Sequence, residues 1–433
     1  MIHTIVSHVA PLSSVPIMKL NVEAGKVLRV LGPVRISVEK GRIRILGIDI
    51  ASGKDVWISR YRSYAVKVLE PSTIGVVLGI GGSIENAQPG EEPIDVWENT
   101  ANEITNRGGK VLILGFIESG KTTFATLLSN IAIEKGLDVA LIDADIGQCD
   151  LAPPGFIALK FMDRKVLWLR EVAGDIIRFI GYLSPSQGTA LSRLLSSVVE
   201  LVNIAESKGA ELIIVNTDGW FGDFEAIQYK LQLIKALKPE NVVIMGEDAC
   251  RYIEPALSKF SLMKLFCLPI PKVVKKRDRE DRRQLRKANY SNYFQKARRR
   301  CFKFDDISIL NSCLLNGVKD AEIHSKLQQE LNIPIYMASR YDDTIVVAVP
   351  DDAYIDKRDL YIIKPAQAKG LLVALLNSSL EDVGVGIIDS IDFEKREICI
   401  LTEYEGEVRG IDIGRIIIGK DWMDKGIAFK CVI

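Results

Sequence analysis

Residues 115–123 read GFIESGKTT, a complete loop of the form G-x-x-x-x-G-K-[ST]. No other stretch restricts the fold so tightly. The motif works only when a buried strand feeds its first glycine and a helix carries its lysine away. Val111, Leu112, Ile113 and Leu114 supply the apolar strand. Phe124, Leu127, Leu128 and Ile131 recur at helical spacing over the stretch ending near Lys135. Gly115 and Gly120 let backbone N–H groups converge on phosphates at the helix N-terminus. Lys121 is expected to reach the β- and γ-phosphates and Thr122 to ligate magnesium, with Glu118, Ser119 and Thr123 completing the loop. The cofactors implied are ATP and Mg²⁺.

The apolar runs around this loop repeat at 111–114, 139–142, 212–215 and 242–245, and helical patterns at 122–135, 187–207 and 223–237 separate them. Such alternation predicts an α/β domain with a parallel sheet and helices on both faces. The segment 156–182 interrupts it with strand-like pieces such as Val166–Leu169. A last strand is expected at Leu265–Leu268. From Lys19 to about Ala87 the period is mostly two. Val34, Ile36 and Val38, then Ile43 and Ile45 across Lys40-Gly41, read as a hairpin. The chain of 433 residues therefore divides into a β-rich N-terminal domain over 1–90, a P-loop domain over 91–301 and a β-rich C-terminal domain over 302–433.

Charge is neutral in total but unevenly placed. Residues 272–300 hold thirteen Lys or Arg against three Asp or Glu, so the rest of the chain is correspondingly acidic. This concentration suits phosphate or nucleic-acid contacts, although a run of charge is often only a solvated helix face. Seven scattered cysteines without a C-x-x-C pair argue against zinc and make a reducing compartment the default. The three histidines, His3, His8 and His324, make histidine-based chemistry a poor expectation. No apolar run approaches the ~20 residues of a membrane span. The N-terminus lacks a charged n-region followed by a long apolar stretch, so no signal peptide is expected.

Three further constellations bear chemistry. Strand 139–142 runs into DADIGQCDLAPPG, which puts Asp143 and Asp145 at the C-terminal end of a strand, where open α/β sheets bind ligands. One carboxylate can serve magnesium and the other can take the proton of an attacking hydroxyl. Gln148 could hydrogen-bond a substrate. The next strand ends in NTDGW, and Trp220 offers either a base-stacking face or a core side chain. In the basic segment, Arg277, Arg282 and Arg286 fall at spacings of five and four. Such arginines can close over phosphates as a lid or neutralise a nucleic-acid backbone. Cys149 has no histidine nearby to activate it.

GFIESGKTT, DADIGQCDLAPPG, NTDGW and the arginine segment occur in the order seen in polynucleotide 5′-hydroxyl kinases, and the length resembles the archaeal members of that family most. The resemblance spans roughly 108–300 by motif and matches the flanking β domains more loosely. It implies transfer of the ATP γ-phosphoryl group to the 5′-OH of RNA, single-stranded or duplex, with DNA as an alternative acceptor. Lys121 and Thr122 would then bind phosphate and magnesium. Asp145 would activate the hydroxyl while Asp143 supports the metal, an assignment that the residues alone leave open to exchange. Gln148, Thr217, Trp220 and Arg286 would hold the acceptor, and Arg277 and Arg282 would contact the transferring phosphate. Glu118 departs from the aspartate common at its position. Ser184-Pro185 resembles a family loop of no derivable role. Two rival readings are an ATP-binding scaffold without turnover and an ATPase motor. A cytoplasmic location is expected, or a nuclear one in a eukaryote.

Overall fold

The computed structural model describes residues 17–273, 277–319, 321–356, 359–428, 431 and 433. His3, His8 and residues 274–276 of the basic segment lie outside these. Among the described residues, no helix is long and apolar enough to cross a membrane.

Between Met18 and Asn86 the chain forms two antiparallel sheets that share one interior. Val34, Ile36, Val38, Ile43 and Ile45 are all buried, as their alternation requires. They do not, however, form a hairpin. Val34–Lys40 pairs with Asp55–Ile58 and Ser72–Leu78, whereas Arg42–Ile45 pairs with Ile48–Ala51 and Ser63–Val68 in the other sheet. Alternation reports which face is buried, not which strand lies alongside. Gly41, at φ +88°, turns the chain from one sheet to the other, and a Cβ there would meet the Pro71 and Ser72 backbone. The hairpin instead lies one strand on, between Arg42–Ile45 and Ile48–Ala51, where Leu46 and Gly47 both take positive φ.

Helix α1 (Ile94–Thr105) leads into the central sheet. Its elements in chain order are β1 (Gly109–Gly115), α2 (Lys121–Glu134), β2 (Val139–Ala144), β3 (Phe156–Met162), β4 (Ile176–Phe179), α3 (Ala190–Ser207), β5 (Leu212–Thr217), α4 (Phe224–Leu237), β6 (Asn241–Met245), α5 (Glu247–Leu257), β7 (Lys264–Leu268) and α6 (Arg279–Tyr293). The spatial order is β4-β3-β2-β5-β1-β6-β7. Strands β2, β5, β1, β6 and β7 are parallel, so their C-terminal ends open on one side. Strands β3 and β4 extend the edge antiparallel. The expected strand-like piece at Val166–Leu169 is not a strand, because side chains take its backbone groups. Asn130 bonds both Val166 N–H and C=O, Tyr64 donates to the Leu167 carbonyl, and Glu171 accepts from Leu167 and Trp168. The Tyr64 bond also ties the N-terminal sheets to the β3–β4 connection, and Asn130 ties them to α2 by donating to the Leu46 carbonyl at 2.8 Å.

Beyond α6, a second large sheet runs in the order Arg298–Lys303, Glu397–Thr402, Asp382–Asp392, Leu371–Leu376, Gly410–Ile418, Ser308–Leu310. A small four-stranded sheet with helix Ala321–Leu331 forms its own core. Six of the seven cysteines pair, as Cys250–Cys267, Cys301–Cys399 and Cys313–Cys431. The scattered spacing hides this. The last two pairs close separations of 98 and 118 residues, and Cys301 meets Cys399 only because their strands place them opposite one another.

Candidate active site

The P-loop takes its form from sterics at two glycines. A Cβ on Gly115 (φ +146°) would lie 2.8 Å from the Met245 carbonyl, and one on Gly120 (φ +92°) would lie 2.7 Å from the Trp97 ring. Glu118 adopts φ +61°, the left-handed region that non-glycine residues rarely occupy. Lys121 folds back, its Nζ donating to the Gly115 carbonyl at 2.9 Å and the Phe116 carbonyl at 2.7 Å. Burial pushes its pKa down to about 8, against the pull of Asp145. Ser119 Oγ is buried without a partner.

The two aspartates at the end of β2 are divided by depth. Asp143 is buried beneath the loop. Its Oδ1 accepts from Asn216 Nδ2 at 3.0 Å and its Oδ2 from the Asp150 N–H at 2.7 Å. Asn216 Nδ2 also reaches Thr122 Oγ1 at 3.1 Å, while its Oδ1 is buried with no partner. Burial, reinforced by Asp150, pushes Asp143 up to about 7. Asp145 faces the cavity that Lys121, Thr122, Thr123 and Gln148 also line. Its Oδ1 accepts the Gly147 and Gln148 N–H groups, each at 3.1 Å. Burial and then Asp218 raise it to about 6, with Lys121 opposing. Asn216 is the residue that sequence reasoning missed here. It lies at the end of the neighbouring parallel strand, in register with Asp143.

The other acceptor candidates are placed less uniformly. Thr217 is fully buried and its hydroxyl donates to the Ile113 carbonyl at 2.8 Å, so it braces β5 against β1 and does not reach the cavity. Trp220 is half-buried. Its ring stacks on Tyr229 at 6.2 Å, its Nε1 donates to Asp223 at 2.7 Å and its N–H to Asp218 at 2.9 Å. Asp218 is itself held by Tyr229 and by the buried Lys230 at 2.9 Å. Gly219 touches the P-loop so closely that a Cβ would stand 2.5 Å from Ile117.

Arg277 precedes the helix and lines the cavity. Its backbone N–H donates to Glu118 Oε1 at 2.8 Å and its guanidinium to the Tyr61 carbonyl at 3.1 Å. Arg282 donates to the Arg277 carbonyl at 2.8 Å and stands 3.7 Å from Glu118. The longer side chain at 118 thus joins the P-loop to the lid. Arg286 pairs with Asp424 at 2.9 Å and fastens α6 to the C-terminal domain. Asn289 and Tyr290 hold the same helix on the loop between β2 and β3, at the carbonyls of Cys149, Ala152 and Pro154. Cys149 is buried, its thiol pushed well above the ordinary range by burial. The cavity also has a wall that the sequence did not disclose, made by Arg60 to Tyr64 of the N-terminal sheets with Asp150, Trp168 and Arg170.

The mRNA cleavage and polyadenylation factor CLP1 P-loop family matches residues 115–296. The polyribonucleotide 5′-hydroxyl-kinase of Pyrococcus furiosus is 30% identical over 330 residues, covering 74% of this chain and 91% of the relative. That of Methanocaldococcus jannaschii is 29% identical over 328 residues, covering 73% and 89%. The structure of the Clp1p–Pcf11p complex aligns over 92% of this chain and 97% of that one, with a TM-score of 0.63 at 13% identity, which bears on the fold alone. The whole architecture is shared with that structure, and the identity extends along nearly the full length of the archaeal enzymes: the chain belongs to the polyribonucleotide 5′-hydroxyl-kinase family.

Proposed function

We propose that this protein transfers the γ-phosphoryl group of ATP to the 5′-OH of RNA. One observation carries the reading. Lys121 of the phosphate loop and Asp145 at the end of β2, one strand removed from β1, line the same cavity, so a donor phosphate and a hydroxyl's proton acceptor share one space. Asp145, with a pKa of about 6, is mostly ionised at neutral pH and can take the hydroxyl proton. The freed oxygen attacks the γ-phosphorus, the bond to the β,γ-bridging oxygen breaks, and ADP departs. Little covalent help is required, so positioning and charge stabilisation dominate. Lys121, Arg277 and Arg282 supply positive charge as it develops on the transferring group.

Magnesium fits the donor set beneath the loop. Thr122 Oγ1, Asp143 and the partnerless Asn216 Oδ1 are clustered there, all oxygen atoms suited to a hard cation or its waters. When bound it would neutralise the β- and γ-phosphate oxygens.

The test is incubation of the protein with Mg·ATP and two oligoribonucleotides that differ only in a 5′-OH or a 5′-phosphate. ADP should form in step with phosphorylation of the 5′-OH strand alone. ADP with free phosphate and an unmodified strand would mark an ATPase, and tight ATP binding with no ADP would mark a scaffold. A 5′-OH DNA strand run in parallel determines whether DNA is a second acceptor.

A further inference from the structure

We propose that Arg62 and Arg170 seat the first phosphodiester of the acceptor, the one on the 3′ side of its 5′-terminal nucleoside. The inference rests on the kinase reading above and adds a substrate contact to it. Both guanidinium groups lie over the Trp168 indole, at 4.5 Å for Arg62 and 5.0 Å for Arg170. One carboxylate, Asp150, holds all three side chains. It pairs with Arg62, accepts Arg170 Nε at 2.8 Å and accepts Trp168 Nε1 at 2.9 Å. Its own N–H is fixed on Asp143. Side-chain exposure is 13% for Arg62, 19% for Arg170 and 6% for Asp150, so the group is largely desolvated.

Two guanidiniums carry about ten N–H donors, and the two oxygens of Asp150 meet only part of them. Arg277 crowds the same wall. It is held below the usual arginine range by burial and then by Arg62, with Arg170 adding to the effect and Glu118 and Asp150 opposing it only in part. Buried cations that repel one another are a standing demand for an anion. Sheet order indicates which anion. Asp150 follows β2, and Trp168 and Arg170 follow β3, on the same side of the P-loop strand as Asp145. Pro271 and Val273, which follow β7, line the cavity from the opposite side, and Trp97 of α1 joins them there through its bond to the Pro269 carbonyl at 2.8 Å. The P-loop amides, Lys121 and Thr122 already serve the donor's phosphates. On the Asp145 side the entering 5′ end is a neutral hydroxyl, and the first charge it brings is that phosphodiester.

The test uses 5′-OH oligoribonucleotides whose first linkage is either a phosphodiester or an uncharged methylphosphonate, with wild type, Arg62→Gln and Arg170→Gln. Replacing the phosphodiester should raise the wild-type acceptor KM about 10-fold or more, the scale of a lost charge-assisted contact. Each variant should show a similar rise on the natural acceptor, little further loss on the methylphosphonate and an unchanged ATP KM. Arg62→Lys, which keeps the charge, should recover part of the loss, and melting curves identify a variant that misfolds. A rise in ATP KM with both acceptors affected alike would assign these arginines to the donor and overturn the proposal. Unchanged acceptor KM in folded variants would reduce the cluster to an interdomain clamp. Wild type that phosphorylates neither acceptor would overturn the kinase reading, and this inference with it.

Discussion

Lys121 and Asp145 line one cavity with Asp143 buried beside them, and Asp145 acts on the charge of both. Lys121→Ala should abolish transfer, measured as label moved from γ-labelled ATP to RNA. Because Asp145 has a pKa of about 6, turnover should fall as pH drops through that value, where the carboxyl takes a proton and can no longer accept one from the acceptor. Asp143, at about 7, has a consequence for stability. Its folded pKa is raised above the unfolded value of ~3.9, so the folded apoprotein binds this proton more readily than the unfolded chain. The stabilising effect is complete below about pH 4 and is lost as pH rises towards 7. Asp143→Asn should therefore gain stability relative to wild type across that window, read as the difference in Tm without metal or nucleotide. A difference that stays flat with pH would contradict the burial of this carboxyl. Most of these groups were legible from the motif alone, since its chemistry demands them. Asn216 was not, because nothing in a single strand says that its neighbour in the sheet will bring an aspartate beside it.

At the scale of elements, the lid and the turn after β5 both close on the P-loop. Arg282 lies one helical turn from the Arg277 backbone it bonds, beside Glu118. Arg282→Ala should lower turnover on the order of 10³-fold, as loss of a charge-stabilising arginine does, while ATP affinity changes little. Unchanged turnover would mean that the helix only binds nucleic acid. Gly219→Ala forces a methyl into Ile117. It should destabilise the fold by about 1–3 kcal/mol through overpacking and weaken nucleotide binding, both measurable by melting with and without ATP. The strands and helices of the central domain follow from apolar runs and helical spacing. What period alone could not supply was pairing. Val34–Val38 and Ile43–Ile45 alternate like a hairpin yet belong to different sheets, and Val166–Leu169 is apolar yet spends its backbone on Asn130, Tyr64 and Glu171. In both cases the deciding contact comes from a distant residue.

Across the whole molecule, the cavity is a composite. The central sheet contributes the phosphate loop and carboxylates, the N-terminal sheets contribute Arg62 and Tyr64, and the C-terminal domain anchors the lid through Asp424. Motif reading located the first contribution because a P-loop is contiguous in sequence. The second was invisible because Arg62 and Asp150 are 88 residues apart. Disulfides reinforce the ends of this assembly. Cys313–Cys431 ties residue 431 to the turn after the strand Ser308–Leu310, and its loss through Cys431→Ser should cost about 2–4 kcal/mol, seen as a lower Tm that reductant no longer shifts as far as in wild type. The central claim is that donor and acceptor meet between Lys121 and Asp145. The most direct measurement is single-turnover transfer from γ-labelled ATP to a 5′-OH oligoribonucleotide by wild type and Asp145→Asn, with nucleotide affinity measured on the same preparations. The expected result is a fall in transfer rate of about 10²-fold or more with nucleotide affinity retained; an Asp145→Asn variant that transfers at the wild-type rate would contradict it.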